Sequence, residues 1–252
     1  MDFGAAMRQP AGQGGPGMRL LIMSFLLAFG PAVLGAGEAC TEDAMIVFDG
    51  SGSMSEIGYN AIGVPRITEA RQAVRRVLPD LAAHRRLGLV VYGPGGDGMC
   101  QSVELRLAPQ WQAAARIVAE IEAMSPDGST PLTEAVFEAA KALNHKSKPG
   151  TIVLVTDGDE TCGGEPCQLA AQLAAEAPGL TVHVIGFKVR AQHFTWDTSD
   201  DATAVSKARC LADATGGEYI AAETPEDLIA ALRVTLGCVV LGASPAQGAL
   251  PG

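Results

Sequence analysis

The stretch MIVFDGSGSM, residues 45–54, decides the fold, because it joins an apolar run to a loop of acidic, hydroxyl and glycine residues. Residues 44–48 are uninterrupted apolar positions, a pattern typical of a strand that is buried on both faces. The following loop places Asp49, Ser51 and Ser53 at alternate positions, and the glycines between them let the three side chains converge. We therefore expect a cluster of oxygen ligands at the end of a buried strand.

Outward from this stretch, short apolar runs alternate with segments of helical period. The predicted strands are 44–48, 87–92, 102–107, 151–155, 181–187 and 217–221, and the predicted helices are 67–81, 111–124, 130–143, 166–177, 202–214 and 224–237. Val103, Leu105 and Leu107 alternate with charged residues, which predicts a half-exposed antiparallel edge strand. The expected fold is α/β: a doubly wound, mostly parallel six-stranded sheet with helices on both faces and one antiparallel edge strand.

Two further loops place oxygen ligands at the same edge of this sheet. Ligands of doubly wound sheets bind beyond the carboxyl ends of the strands. Asp157 follows the strand at 151–155, and Thr130 lies in the segment Asp-Gly-Ser-Thr-Pro-Leu that precedes a helix. Hydroxyl and carboxylate oxygens suit a hard cation such as Mg²⁺ rather than zinc.

With Asp49, Ser51, Ser53, Thr130 and Asp157 in this order, the sequence resembles the von Willebrand factor A (VWA) domain family with its metal-ion-dependent adhesion site (MIDAS). The resemblance implies a Rossmann-like VWA domain over residues 40–238. It also implies Mg²⁺ (with Mn²⁺ or Ca²⁺ as alternatives), three hydroxyl ligands, and two aspartates that act through water or accept hydrogen bonds. Residues 162–167 and 214–217 resemble the bacterial exported branch of the family.

This site predicts an adhesion or scaffold protein rather than an enzyme. Mg²⁺ requires six ligands, which leaves a position for a carboxylate from a partner protein. The alternatives are a hydrolase that uses the same edge of the sheet, which we call the rim, and a structural domain whose site stays empty. The Gly-x-Ser-x-Gly spacing of a nucleophile loop is absent, and of the four histidines only His193 lies in a plausible rim loop. The formal Gly-x-Gly-x-x-Gly at 93–98 leads into a strand, which argues against dinucleotide binding.

The net charge limits which partners the protein can have, and the amino-terminal segment predicts its compartment. A net charge of −10 argues against nucleic acid. Residues 1–36 contain the basic residue Arg19, a ten-residue apolar run after it and then small residues, which predicts a signal peptide with an optional leader at 1–17. That run is short for a bilayer, and no other segment could cross one. We therefore expect a periplasmic or secreted domain with a flexible tail at 239–252.

Export makes disulfides among the six cysteines plausible. Cys162 and Cys167 flank a short flexible loop, so we expect them to pair. Cys40 precedes the first strand and Cys238 follows the last helix, which predicts a second disulfide at the bottom of the sheet. Cys100 stays unassigned, and Cys210 is interpreted as a buried thiol. Zinc binding is the rival interpretation, although the paired Cys-x-x-Cys spacing is absent.

The segment 188–201 carries His193, Phe194 and Trp196 among acidic residues, next to the expected metal rim. Exposed aromatic side chains anchor many protein interfaces, so we expect Trp196 to contact the partner. The alternative is that Phe194 and Trp196 fold inward and cover the edge of the sheet.

Overall fold

A single six-stranded sheet organises the part of the chain that the computed structural model describes, which is residues 40–57, 63–94, 100–189 and 201–238 (only the backbone of 201–206). The strands are β1 (Asp43–Asp49), β2 (Leu87–Tyr92), β3 (Val103–Gln110), β4 (Gly150–Thr156), β5 (Leu180–Phe187) and β6 (Tyr219–Ala222). Their order is β3-β2-β1-β4-β5-β6, and only the β2–β3 pair is antiparallel. The predicted fold class is therefore confirmed.

Six α-helices cover the two faces of the sheet within these ranges. They are α1 (Arg66–His84), α2 (Ala114–Ala123), α3 (Leu132–Ala142), α4 (Pro166–Glu176), α5 (Asp201–Thr215) and α6 (Pro225–Leu236). The first apolar core joins one face of the sheet to α1, α2 and α6, and the second joins the other face to α3, α4 and α5. Alternate residues of β1 enter the two cores: Ile46 and Phe48 the first, Met45 and Val47 the second. This burial on both faces explains the continuous apolar run of β1.

The edge strand β3 departs from the predicted alternation. Leu107 pairs with Leu89, whereas Leu105 pairs with the next residue of β2, so Arg106 is the extra residue of a β-bulge. The bulge shifts the register by one residue. Leu107 consequently packs into the first core, Val103 packs against the second, and Leu105 is 43% exposed.

The disulfide between Cys40 and Cys238 is confirmed, with a Cα–Cα distance of 5.3 Å. The backbone N–H of Cys40 donates to the carbonyl of His84 at 2.8 Å, next to the amino end of β1. The disulfide therefore joins the two ends of the domain at the edge of the sheet opposite to the candidate site.

The predicted pairing of Cys162 with Cys167 is wrong. Cys162 pairs with Cys100, and Cys167 pairs with Cys210, so Cys210 is not a buried thiol. The helix α4 begins between the two partners that we expected, and it places Cys167 in its first turn beside α5. All six cysteines form disulfides, which also removes the zinc interpretation.

Several sequence predictions lie outside the described residues. They are the signal peptide at 1–36, the tail at 239–252 and the aromatic part of the 188–201 segment, with His193, Phe194 and Trp196. Among the described residues, no helix is both long enough and apolar enough to cross a membrane.

Candidate functional site

Two buried aspartates meet where β1 and β4 end. These strands are parallel neighbours, and Phe48 pairs with Val155, so Asp49 and Asp157 follow at the same edge of the sheet. Both side chains are fully buried. The backbone N–H of Asp157 donates to Oδ2 of Asp49 at 3.3 Å, which links the two strand ends directly.

The first loop brings Ser51 and Ser53 to these carboxylates. Oδ1 of Asp49 accepts a hydrogen bond from the backbone N–H of Ser51 at 2.8 Å. The chain then enters a short 3₁₀ helix, Gly52–Ser55, which the sequence did not predict. The hydroxyl oxygens of Ser51 and Ser53 lie 3.0 Å apart, and that of Ser53 donates to Oδ1 of Asp157 at 2.6 Å. Four of the five predicted site residues thus form one hydrogen-bonded network.

The fifth predicted residue, Thr130, belongs to a loop that packs directly on the first one. The backbone N–H of Gly52 donates to the carbonyl of Gly128 at 3.1 Å, and that of Asp127 donates to the carbonyl of Gly50 at 3.0 Å. Gly128 has a φ of 75°, a left-handed conformation that favours glycine. Thr130 itself is buried, two residues beyond this contact.

The oxygen spacing in this network fits a small hard cation. Adjacent ligands of an octahedral Mg²⁺ ion, with bonds of about 2.1 Å, lie about 3 Å apart. The hydroxyl oxygens of Ser51 and Ser53 show this separation. Within the described ranges, no group of three or more His, Cys, Asp or Glu side chains could hold a metal ion, so a cation at this place would need hydroxyl ligands besides the two aspartates.

The negative charges of the two buried aspartates are only partly balanced by the positive charge of Arg66. Burial, and next to it the negative charge of Asp49, raise the pKa of Asp157 from 3.8 to about 7. The Arg66 guanidinium opposes this shift, because its NH1 donates to Oδ2 of Asp157 at 3.0 Å and to the carbonyl of Ser53 at 3.1 Å. A further cation beside the two aspartates would favour the ionised form of Asp157.

Three residues that organise the site were missed by the sequence interpretation. Arg66 begins α1 and is only 4% exposed, although a charged residue at a helix start is usually solvated. The hydroxyl of Thr156 donates to Oδ2 of Asp49 at 2.8 Å and accepts from the Tyr92 hydroxyl at 3.1 Å. Burial raises the pKa of Tyr92, and the charge of Asp49 adds to this effect. Only Thr156 carried a sequence signal, since it directly precedes Asp157.

The described histidines serve other parts of the fold. His84 ends α1 beside Cys40, at the opposite end of the sheet. His145 lies beyond α3 with Nδ1 2.8 Å from the carbonyl of Ala140. Nδ1 of His183, within β5, accepts from the backbone N–H of Glu218 at 3.1 Å.

The sheet order and the oxygen-rich rim define a Rossmann-like α/β domain. Residues 44–160 match the family model of the von Willebrand factor type A domain. Two uncharacterized proteins of Bacillus subtilis (strain 168) are similar in sequence. YwmC is 27% identical over 192 residues, which cover 73% of this chain and 78% of YwmC. YwmD is 27% identical over 201 residues, which cover 76% of this chain and 84% of YwmD.

Solved structures show the same fold. The PilB minor pilin from Streptococcus sanguinis has a TM-score of 0.57 and 17% identity, over 83% of this chain and 64% of the pilin. An aerotolerance-related membrane protein from Bacteroides fragilis NCTC 9343 has a TM-score of 0.56 and 17% identity, over 77% of this chain and 98% of that protein's chain. The SpRpn10 VWA domain has a TM-score of 0.54 and 15% identity, over 83% of this chain and 99% of that domain's chain. Together with the family match, they support a VWA domain in this chain.

Proposed function

We propose that this chain is an exported VWA-domain protein that binds a protein partner through a divalent cation at a MIDAS. The observation that carries the proposal is the network of two buried aspartates and two serine hydroxyls at the carboxyl ends of β1 and β4. The loop that contains Thr130 is hydrogen-bonded to the first loop through Asp127 and Gly128, which supports Thr130 as the fifth member of the proposed site.

In this proposal, the hydroxyls of Ser51, Ser53 and Thr130 hold the cation, and Asp49 and Asp157 balance its charge through water or hydrogen bonds. When bound, Mg²⁺ (or Mn²⁺ or Ca²⁺) offers a coordination position to a carboxylate of the partner. Asp49 keeps the first loop in shape, because its two oxygens accept from Ser51, Thr156 and Asp157. Arg66 holds Asp157 in place from the side of α1.

Export is supported by the cysteines. Three disulfides indicate an oxidising, non-cytoplasmic compartment. A signal peptide at residues 1–36 is the proposed route to the periplasm or the medium.

We further propose that the site is not enzymatic. A serine hydrolase needs a general base within hydrogen-bond reach of its nucleophile. In a Ser-His-Asp hydrolase that base is a histidine, and the described histidines pack elsewhere in the fold. An active-site serine probe should therefore leave the protein unlabelled, and labelling of Ser51 or Ser53 would favour the hydrolase.

Thermal unfolding with and without Mg²⁺ or Mn²⁺ tests the metal site. At a concentration about 100 times the Kd, a cation that binds only the folded state adds about 2.7 kcal/mol. For a domain of this size, that corresponds to about 5–10 °C in Tm. Asp49→Ala should abolish the rise. The variant loses the hydrogen bonds by which Asp49 shapes the first loop, but it also relieves the repulsion between Asp49 and Asp157, so we expect it to remain folded.

The matched control is Asp43→Ala, at the opposite end of β1, where the carboxylate pairs with Arg86 on a partly exposed surface. This variant should keep the full response to Mg²⁺. An equal response in Asp49→Ala and the wild type would overturn the site assignment. Capture of a partner from the envelope of the parent cell, compared with and without EDTA, tests whether binding needs the cation.

A further inference from the structure

The main chain of Thr130 is held by a segment outside its own loop, residues 160–162. The backbone N–H of Thr130 donates to the hydroxyl oxygen of Thr161 at 2.8 Å. In return, the backbone N–H of Thr161 donates to the carbonyl of Thr130 at 3.2 Å. These two bonds fix the backbone on both sides of the Thr130 Cα, and thereby the direction in which its side chain leaves the chain.

Glu160 fixes the helix start that follows Thr130. Its Oε2 accepts from the backbone N–H and the hydroxyl of Thr133, at 2.9 and 2.7 Å, in the first turn of α3. Pro131, the residue before α3, makes no side-chain cap, so Glu160 satisfies a backbone donor that would otherwise stay unpaired. A carboxylate is also favoured at the positive end of a helix. Oε1 of Glu160 accepts from the backbone N–H of Cys162 at 2.8 Å, so a hydrogen bond within residues 160–162 also orients the Glu160 side chain.

The disulfide Cys100–Cys162 extends this support to the first loop of the site. Just beyond Cys100, the carbonyl and hydroxyl oxygens of Ser102 accept from the backbone N–H of Gly93, at 3.1 and 3.2 Å. Gly93 has a φ of 98°, and a Cβ there would lie only 2.4 Å from the backbone nitrogen of Ser51. The disulfide therefore connects the segment that holds Thr130 to the segment that packs against Ser51.

We propose that Thr161 and Glu160 are positioning residues for Thr130, and that the Cys100–Cys162 disulfide holds them in register with the first loop. Divalent-cation affinity then depends on this disulfide and not on Cys167–Cys210, which joins α4 to α5. The inference rests on the proposed function, since it treats Thr130 as a metal ligand. Its physical basis is that partners behind the ligands of a metal site orient those ligands, and their loss typically costs about 10- to 100-fold in affinity.

The first test measures the Kd for Mn²⁺, with free Mn²⁺ counted by electron paramagnetic resonance. Thr161→Val keeps the side-chain shape but loses the acceptor oxygen, and it should weaken Mn²⁺ binding about 10-fold. Thr161→Ser keeps that oxygen and should bind as tightly as the wild type. Glu160→Gln keeps one carbonyl oxygen in place of the carboxylate and should fall between them. Urea unfolding in EDTA shows whether each variant is still folded.

The second test compares two disulfide deletions. The double variant of Cys100→Ser and Cys162→Ser should weaken Mn²⁺ binding about 10-fold. The matched control, Cys167→Ser with Cys210→Ser, removes a disulfide with a similar Cα–Cα distance, 5.2 against 5.4 Å, that joins α4 to α5 instead of the two segments beside Thr130 and Ser51. It should lower the stability in urea and leave the Kd for Mn²⁺ unchanged.

The outcomes separate this inference from the proposed function. If the wild type binds no Mn²⁺, the proposed function fails, and this inference fails with it. If the wild type binds Mn²⁺ and both Thr161→Val and the Cys100/Cys162 variant bind equally well, only the inference is overturned. An equal loss of affinity in both disulfide variants would also overturn it, because general destabilisation would then explain the effect.

Discussion

Raising the pH in the absence of metal should destabilise the domain through Asp157. In the folded state, burial and the neighbouring Asp49 raise the pKa of this carboxyl to about 7. In the unfolded chain it returns to 3.8. Between these values the unfolded state releases the proton while the folded state retains it, so the stability falls as the pH rises. The loss begins above about pH 4 and is complete once the pH exceeds the folded-state pKa.

The size of the effect follows from the difference between the two pKa values. Asp157 is fully buried, so solvent screening does not reduce the effect. A shift of about 3 pKa units, at about 1.4 kcal/mol each, gives a loss of about 4 kcal/mol between pH 4 and pH 8. Mg²⁺ competes with the proton for the same carboxylate pair, so the stabilisation by Mg²⁺ should be larger at pH 8 than at pH 5.

The assay is urea unfolding in EDTA at several values between pH 4 and pH 8, on the wild type and on Asp157→Asn. Titrating groups away from the site contribute equally to both proteins, so the difference between their unfolding free energies isolates the interacting pair of Asp157 and Asp49. The stability of the wild type relative to Asp157→Asn should fall by about 4 kcal/mol across this range. A constant difference across the range would refute the reasoning about the buried carboxylate pair.

Two further predictions concern the disulfides and the segment outside the described residues. Replacing both Cys40 and Cys238 by Ser removes a cross-link between residues 198 apart, which in the chain-entropy model costs about 5 kcal/mol. The corresponding loss for Cys167 and Cys210, 43 residues apart, is about 4 kcal/mol, and urea unfolding of the two variants checks both values. Trp196→Ala should weaken capture of the partner and leave the stabilisation by Mg²⁺ intact. Loss of stability with normal capture would instead identify Trp196 as a core residue.

The central strands and the rim loops could be predicted because their sequence pattern is local. A strand buried on both faces must be apolar at every position, so β1, β2 and β4 are recognisable from short runs. Parallel neighbours then bring their carboxyl ends together, which places Asp49 and Asp157 at one edge without any knowledge of their contacts. The capping box of Thr224 and Asp227, which starts α6 within the helix predicted at 224–237, is an equally local feature.

The bulge in β3 and the disulfide pairing depend on contacts between distant segments. Arg106 is extra only with respect to the register of β2, which the sequence of β3 does not contain. Short separation suggested that Cys162 and Cys167 would pair, but pairing follows Cα distance and direction in the folded chain. The start of α4 sends Cys167 to α5 and leaves Cys162 for Cys100, 62 residues away.

The charge balance at the rim could not be predicted from the sequence either, and it is relevant to the kind of partner that the site would bind. Arg66 is 91 residues from Asp157, yet its buried guanidinium bonds to that carboxylate at 3.0 Å. With both aspartates ionised, these three buried groups carry a net charge of −1, which favours a cation. A divalent ion changes the sum to +1, and a buried site of that charge attracts an anion more strongly than a neutral group. One carboxylate from a partner would restore neutrality, so this charge count supports the proposal that the partner supplies an acidic side chain.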